Sequence, residues 1–232
     1  MGAHAGFGDG IRAEPTDDTI LRPECDCRNS VVKTFLKPLG FLKKGRTHNR
    51  GTVEGLIHVV NFQMGAYPIG DHYVVPGVRE SLYGKFAVNL GVLLPCVFEA
   101  EWKHPVSDFV QECQCTIRQR LGVLAFGEDQ WFEIASDPSL TATSVVDLLE
   151  RFGPRFFAQF QTYADVLVYY NEHGALPFQT APRATLEAAL IAHHVGNDAL
   201  ARSLFAKAYA TDHEVFRHYV AELAERIGCK VE

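Results

Sequence analysis

Arg118 and Arg120 stand two residues apart, as do Lys44 and Arg46, with Arg50 four positions further on. On an extended strand a spacing of two puts side chains on the same face. Each pair would therefore present its positive ends together. An arginine fork donates two parallel hydrogen bonds to a phosphate or carboxylate, and lysine adds a point charge. Gln63 and Asn89 occupy neighbouring strand-like segments, where their amides can fix a ligand's orientation, and Trp131 or Tyr67 can stack on a planar group. The chemistry within reach of these residues is recognition of an anion. The predicted binding set is Lys44, Arg46, Arg50, Gln63, Asn89, Arg118, Arg120 and Trp131.

Charge distribution gives this set its weight. The chain is acidic, with a formal net charge of -6, yet from Arg28 to Arg50 it carries seven Lys and Arg and no Asp or Glu. Bulk charge argues against a protein that coats nucleic acid, so anion binding has to come from a local patch. Two alternatives stay open. The cations are solvated or pair with acidic loops and helices of the same chain, leaving a purely structural subunit; or Arg46, Arg118 and Arg120 hold a phosphorylated or carboxylated substrate for an enzyme.

Other chemistries find less support. Cys25-x-Cys27 and Cys113-x-Cys115 are spaced more tightly than structural zinc pairs, which leave at least two residues between thiolates. His213 and His218 are five apart, off a common helix face, and His193 and His194 diverge by about 100°. No phosphate-binding glycine loop, nucleophile elbow or dinucleotide fingerprint occurs. Glu99, Glu101, Asp108 and Glu112 read as loop acids between strands, which are usually solvated, and no spacing pairs them. Neither a metal nor a cofactor is predicted. The expected partner is a protein or a small anionic ligand, with oligomeric state open.

With 232 residues, 47% of them hydrophobic and 22% charged, the chain has ordinary globular composition. It has no eighteen-residue apolar run and no basic, apolar leader, so the expected compartment is the cytoplasm and the six cysteines are expected to be thiols.

The elements that must position the cations are legible as periodicities. Val31, Val32, Phe35, Leu36 and Leu39 have helical spacing, stopped by Gly40. "FLKKGRTHNR", "VEGLIHVVNFQ" and "GKFAVNLGVLLP" read as strands, the last with Phe86, Val88, Leu90 and Val92 in alternation and Lys85, Ala87 and Asn89 opposite. Alternation carried through 41–50 puts Leu42, Lys44, Arg46, His48 and Arg50 on one face. "CQCTIRQRLGVLAF", with Gln114, Thr116, Arg118 and Arg120 sharing a face, and "DQWFEIA" read as two further strands. A loop is expected over 64–83. Helices follow from 138: "SLTATSVVDLLERF", a second one opening at Pro154, and three after the linker "ALPFQTAPR". "GNDALARSLFAKAY" is spaced like a tetratricopeptide-type helix hairpin.

In their order, "FLKPLGFLKKGRTHNR", "VVNFQ", "FAVNLGV", "CTIRQRLG" and "DQWFEI" resemble the bacterial family catalogued as domain of unknown function 4304, over roughly residues 31–160. The resemblance implies a cytoplasmic bacterial protein and carries no catalytic residue. The expected fold is α+β: a mostly antiparallel sheet of about five strands covered by helices over 28–178, preceded by a flexible extension over 1–27 and followed by a C-terminal helical subdomain over 179–232. The expected function is a binding or interaction module with a basic, anion-binding sheet face.

Overall fold

Alternating apolar residues at Phe86, Val88, Leu90 and Val92 build the central strand of an antiparallel sheet, and each of the four is at most 2% exposed. In the computed structural model, residues 32–65, 81, 82, 84–133 and 138–229 are described. The expected N-terminal extension, Cys25 and Cys27, Tyr67 and most of the expected loop over 64–83 lie outside them.

Residues 32–36 form the first helix, α1, which runs into a 3₁₀ turn at Lys37–Leu39 and stops at Gly40, φ +84°. Six strands follow in the order β1 (Leu42–Lys44), β2 (Thr47–Gly51), β3 (Ile57–Met64), β4 (Lys85–Leu93), β5 (Ile117–Arg120) and β6 (Phe132–Glu133). The sheet runs β1-β2-β3-β4-β5, all antiparallel, and β6 pairs the start of β4. Between and after the strands lie α2 (Pro95–Trp102), α3 (Leu121–Phe126), α4 (Pro138–Ala158), α5 (Tyr163–His173), α6 (Ala181–His194), α7 (Asp198–Tyr209) and α8 (Glu214–Arg226). The fold is α+β, with an antiparallel sheet and a helical C-terminal region.

Four expectations need correction. Residues 41–50 are not one strand: Lys44 pairs with Thr47, leaving a two-residue hairpin loop of Gly45 and Arg46. Gly45 takes φ +61° at the first of the two central positions, which favours glycine there. The turn breaks the parity, so Lys44, Thr47 and Asn49 share one face while His48 and Arg50 lie on the other. Secondly, "CQCTIRQRLGVLAF" is a 3₁₀ turn at Glu112–Gln114, a four-residue strand, then α3, so Gln114 and Thr116 precede the strand. The third correction concerns Glu99 and Glu101, which lie on α2 rather than in a loop. Fourthly, the helix break expected at Pro154 falls at 159–162, where Thr162 and Asp165 form a capping box that starts α5.

The face of Phe86, Val88, Leu90 and Val92 packs on the helices. One contiguous apolar cluster joins these residues to Val145 and Phe157 of α4, Val166 of α5, Leu186 and Ile191 of α6, Phe205 of α7 and Leu223 of α8. Antiparallel sheets often leave their second face polar, and half of this one is. At the other end Val59 and Leu93 join Phe98, Val110 and Cys115 in a small second cluster. The segment carrying Val110 is clamped there by Asn49, whose side chain donates to Val110 O at 3.0 Å and accepts from Val110 N at 2.7 Å.

Candidate functional site

The polar end of the second face is built by register. Thr47 stands opposite Asn61, Asn61 opposite Asn89, and Asn89 opposite Arg120. Neutral groups in this floor satisfy each other: Asn61 donates to Thr47 Oγ1 at 2.9 Å, Thr47 donates to Gln111 Oε1 at 3.0 Å, and Asn89 donates to Gln63 Oε1 at 3.0 Å. Lys44 and Arg46, delivered by the β1–β2 hairpin, line an open groove of about 560 Å³ over this floor together with Gln63 and Gln111. Lys44 Nζ sits 5.7 Å from the centre of the Phe109 ring. Among the described residues neither Lys44 nor Arg46 has a carboxylate partner.

The remaining cations of the predicted set are committed elsewhere. Arg118 Nε pairs with Glu112 Oε1 at 2.6 Å, and its guanidinium lies 5.2 Å from the Phe178 ring. Arg120 Nη1 donates to both carboxylate oxygens of Asp129, at 2.8 and 2.7 Å, and stacks 5.0 Å from the Trp131 ring. Trp131 thus serves the chain's own arginine. Asn89, 3% exposed, is buried beneath Gln63. Arg50 lies on the helix-covered face, donating to Leu39 O at 3.3 Å and to His58 Nδ1 at 2.9 Å beside the Phe41 and Phe157 rings. Of the eight predicted residues, the structure brings Lys44, Arg46 and Gln63 together at one groove.

A second concavity escapes the sequence patterns. A cleft of about 430 Å³ opens between α2, the 3₁₀ turn at Glu112–Gln114 and the start of α6. Arg183 of α6 bridges two carboxylates there, Glu101 of α2 and Glu187 one turn along its own helix, the latter at 2.9 Å. Glu187 is 1% exposed, and its Oε2 has no hydrogen-bond partner. Burial pushes its carboxyl up to about 8 against the pull of Arg183. Burial opposes Arg183's charge as well, but the two carboxylates outweigh it and hold the guanidinium pKa above its usual value. Tyr219 of α8 lies beside this network, with the guanidinium 6.0 Å from its ring.

At the mouth of the cleft Trp102 is 64% exposed. The two non-glycine residues with positive φ among the described residues, Lys103 and Phe178, are sequence neighbours of its lining residues Trp102, His104 and Gln179. Gln179 is fixed by donating to Thr116 O at 2.7 Å. One signal for this cleft was present in the sequence: Glu187 is a lone acid inside the apolar run Ala184–Ala192 and stands four residues from Arg183.

Compared with known proteins, residues 32–159 match a family model described as a domain of unknown function (DUF4304). No curated protein and no solved structure matches.

Proposed function

This chain belongs to the DUF4304 family of domains of unknown function, and from its geometry we propose that it is a cytoplasmic binding module for an anionic group, docked in the groove at the β1–β2 hairpin. The observation that carries the reading is the contrast between its cations. Arg118 and Arg120 are neutralised by Glu112 and Asp129, whereas Lys44 and Arg46 line the groove with no carboxylate partner among the described residues. A cation left over a hydrogen-bonding floor attracts a phosphate or carboxylate locally, whatever the sign of the whole chain.

The lining residues favour binding over chemistry. Among the described ones there is no histidine, cysteine or carboxylate, and the Thr47 hydroxyl is engaged with Gln111. Four free thiols, Cys96, Cys113, Cys115 and Cys229, fit a reducing compartment.

The test is thermal unfolding in sodium pyrophosphate against sodium chloride of equal ionic strength. A ligand at a hundred times its Kd stabilises by about 2.7 kcal/mol, a rise of about 5–10 °C for a chain of this size. The Lys44→Ala/Arg46→Ala double variant is expected to lose this rise and to keep its melting point in chloride. A rise of the same size in the double variant would remove the reading.

A further inference from the structure

Glu187 is an unusual residue to find at the base of a cleft. Buried carboxylates are ordinarily paired and hydrogen-bonded, and Glu187 is only half so. Arg183 occupies Oε1, and Oε2 is buried with no partner. The same guanidinium also holds Glu101, so one positive charge faces two carboxyl groups. The charges balance only if one carboxyl keeps a proton or a second cation arrives.

The cleft is shaped to admit such a cation from one side. Glu187 forms its floor, out of reach of bulk water, while Val97 and Phe98 give it an apolar wall and Trp102 stands exposed at the mouth. An indole face attracts a cation, most strongly where water is excluded. A small inorganic cation would exchange its water shell for oxygen ligands and gain nothing from the apolar wall. An organic cation gains on both counts, its head at the carboxylate and its alkyl stem against Val97, Phe98 and Trp102.

We infer that this cleft is a binding site for an organic cation, an ammonium or guanidinium head on a short apolar stem, which Glu187 receives at the floor and Trp102 covers at the mouth. The site is separate from the groove at Lys44 and Arg46 and does not depend on it.

Binding at this site displaces a proton. Burial pushes the Glu187 carboxyl up to about 8, so at pH 7 it is mainly protonated in the free molecule. The incoming cation takes the proton's place, and the proton leaves to the buffer. The charged groups acting on Glu187 are Arg183 on its own helix and Glu101 on α2; Tyr219 of α8 lies beside those two, and His104, Cys113 and Cys115 line the same cleft. A neutral hydroxyl ligand could also satisfy Oε2, but it would release no proton. Proton count therefore separates the two chemistries.

The experiment is isothermal titration calorimetry of the full chain with n-butylammonium chloride, repeated in two buffers of different ionisation enthalpy. A second titration uses the blocked amide of arginine, which presents the head as a basic side chain of a protein partner does. Expected is saturable binding with proton release at pH 7 that falls as the pH rises. The tighter of the two probes identifies the source, free amine or basic side chain. Glu187→Gln should lower affinity at least tenfold and abolish proton release. Trp102→Ala, at a largely exposed position, should lower affinity tenfold while keeping the proton release. Lys44→Ala/Arg46→Ala should change neither. Saturation by neither probe, binding without proton release, or unchanged binding in either the Glu187→Gln or the Trp102→Ala variant would overturn the inference.

Discussion

His58 illustrates how one side chain is set by what surrounds it. Arg50 can only donate, so Nδ1 must accept its hydrogen bond at 2.9 Å, and Nε2 therefore carries the proton it donates to Phe160 O at 2.8 Å. The ring stacks on Phe157 at 4.5 Å, fully buried. Burial lowers its pKa to about 4, as it does that of His48, which lies in the core against Phe62. The unfolded chain protonates both rings from about pH 6.5 downward, whereas the folded chain resists until about pH 4. The stability conferred by the neutral rings is thus full above about pH 7 and lost as pH falls through this window. A depression from 6.5 to about 4 corresponds to about 3 kcal/mol for each ring. Urea unfolding at pH 7.5, 6 and 5 is expected to show the loss, and His48→Leu to remove about half of it; a parallel pH profile in that variant would contradict the assignment. Arg118 differs from Lys44 in the same residue-level terms. Arg118→Ala leaves Glu112, 8% exposed, without its charge partner and should cost about 1–3 kcal/mol in urea unfolding, whereas Lys44→Ala should leave stability unchanged.

At the scale of elements, the close approach of the Glu112–Gln114 turn to β4 depends on Gly91. A Cβ there would lie 2.6 Å from Cys115 Sγ and 3.6 Å from Val59 Cβ. Val59 and Cys115 belong to the small cluster that holds the 103–116 segment on the sheet. Gly91→Ala is expected to cost about 1–3 kcal/mol as overpacking, read as a lower urea midpoint. It should also raise the reactivity of Cys115 toward a thiol reagent, since the turn has to move outward; wild-type reactivity would show that the turn does not depend on this contact. The hairpin at Gly45 and Arg46 acts at the same scale. It turns one basic stretch into two strands, with Lys44 on the polar face and Arg50 on the helix-covered one.

The molecule as a whole is held by one large apolar cluster. The family match ends at residue 159, at the end of α4, yet the cluster continues through Val166, Leu186, Phe205 and Leu223. From Ala184 to Ala192 every residue of α6 is buried. α2 also meets α6 through Glu101 and Arg183. Removing residues 180–232 should therefore expose apolar sheet-side surface and abolish cooperative unfolding. Circular dichroism with a hydrophobic dye would register this as a broad transition and strong dye binding. A sharp transition in the truncated chain would show that the α+β region folds by itself.

What the sequence by itself determined was whatever depends on neighbours along the chain. The period of two at Phe86, Val88, Leu90 and Val92 specified a strand and its buried face, the shared face of Arg118 and Arg120 followed from the same period, and helical segments ended by Gly or an Asp/Asn-rich turn marked α6, α7 and α8. Tertiary structure alone decided which charges are available. Arg120 meets Asp129, Arg118 meets Glu112, and Arg183, already one turn from Glu187, gains Glu101 of α2, because folding brings separate elements within 4 Å. Periodicity is a local property of the backbone. Neutralisation of a charge across elements is a property of chain closure, and so the groove, and the α2 side of the cleft, became visible only in three dimensions.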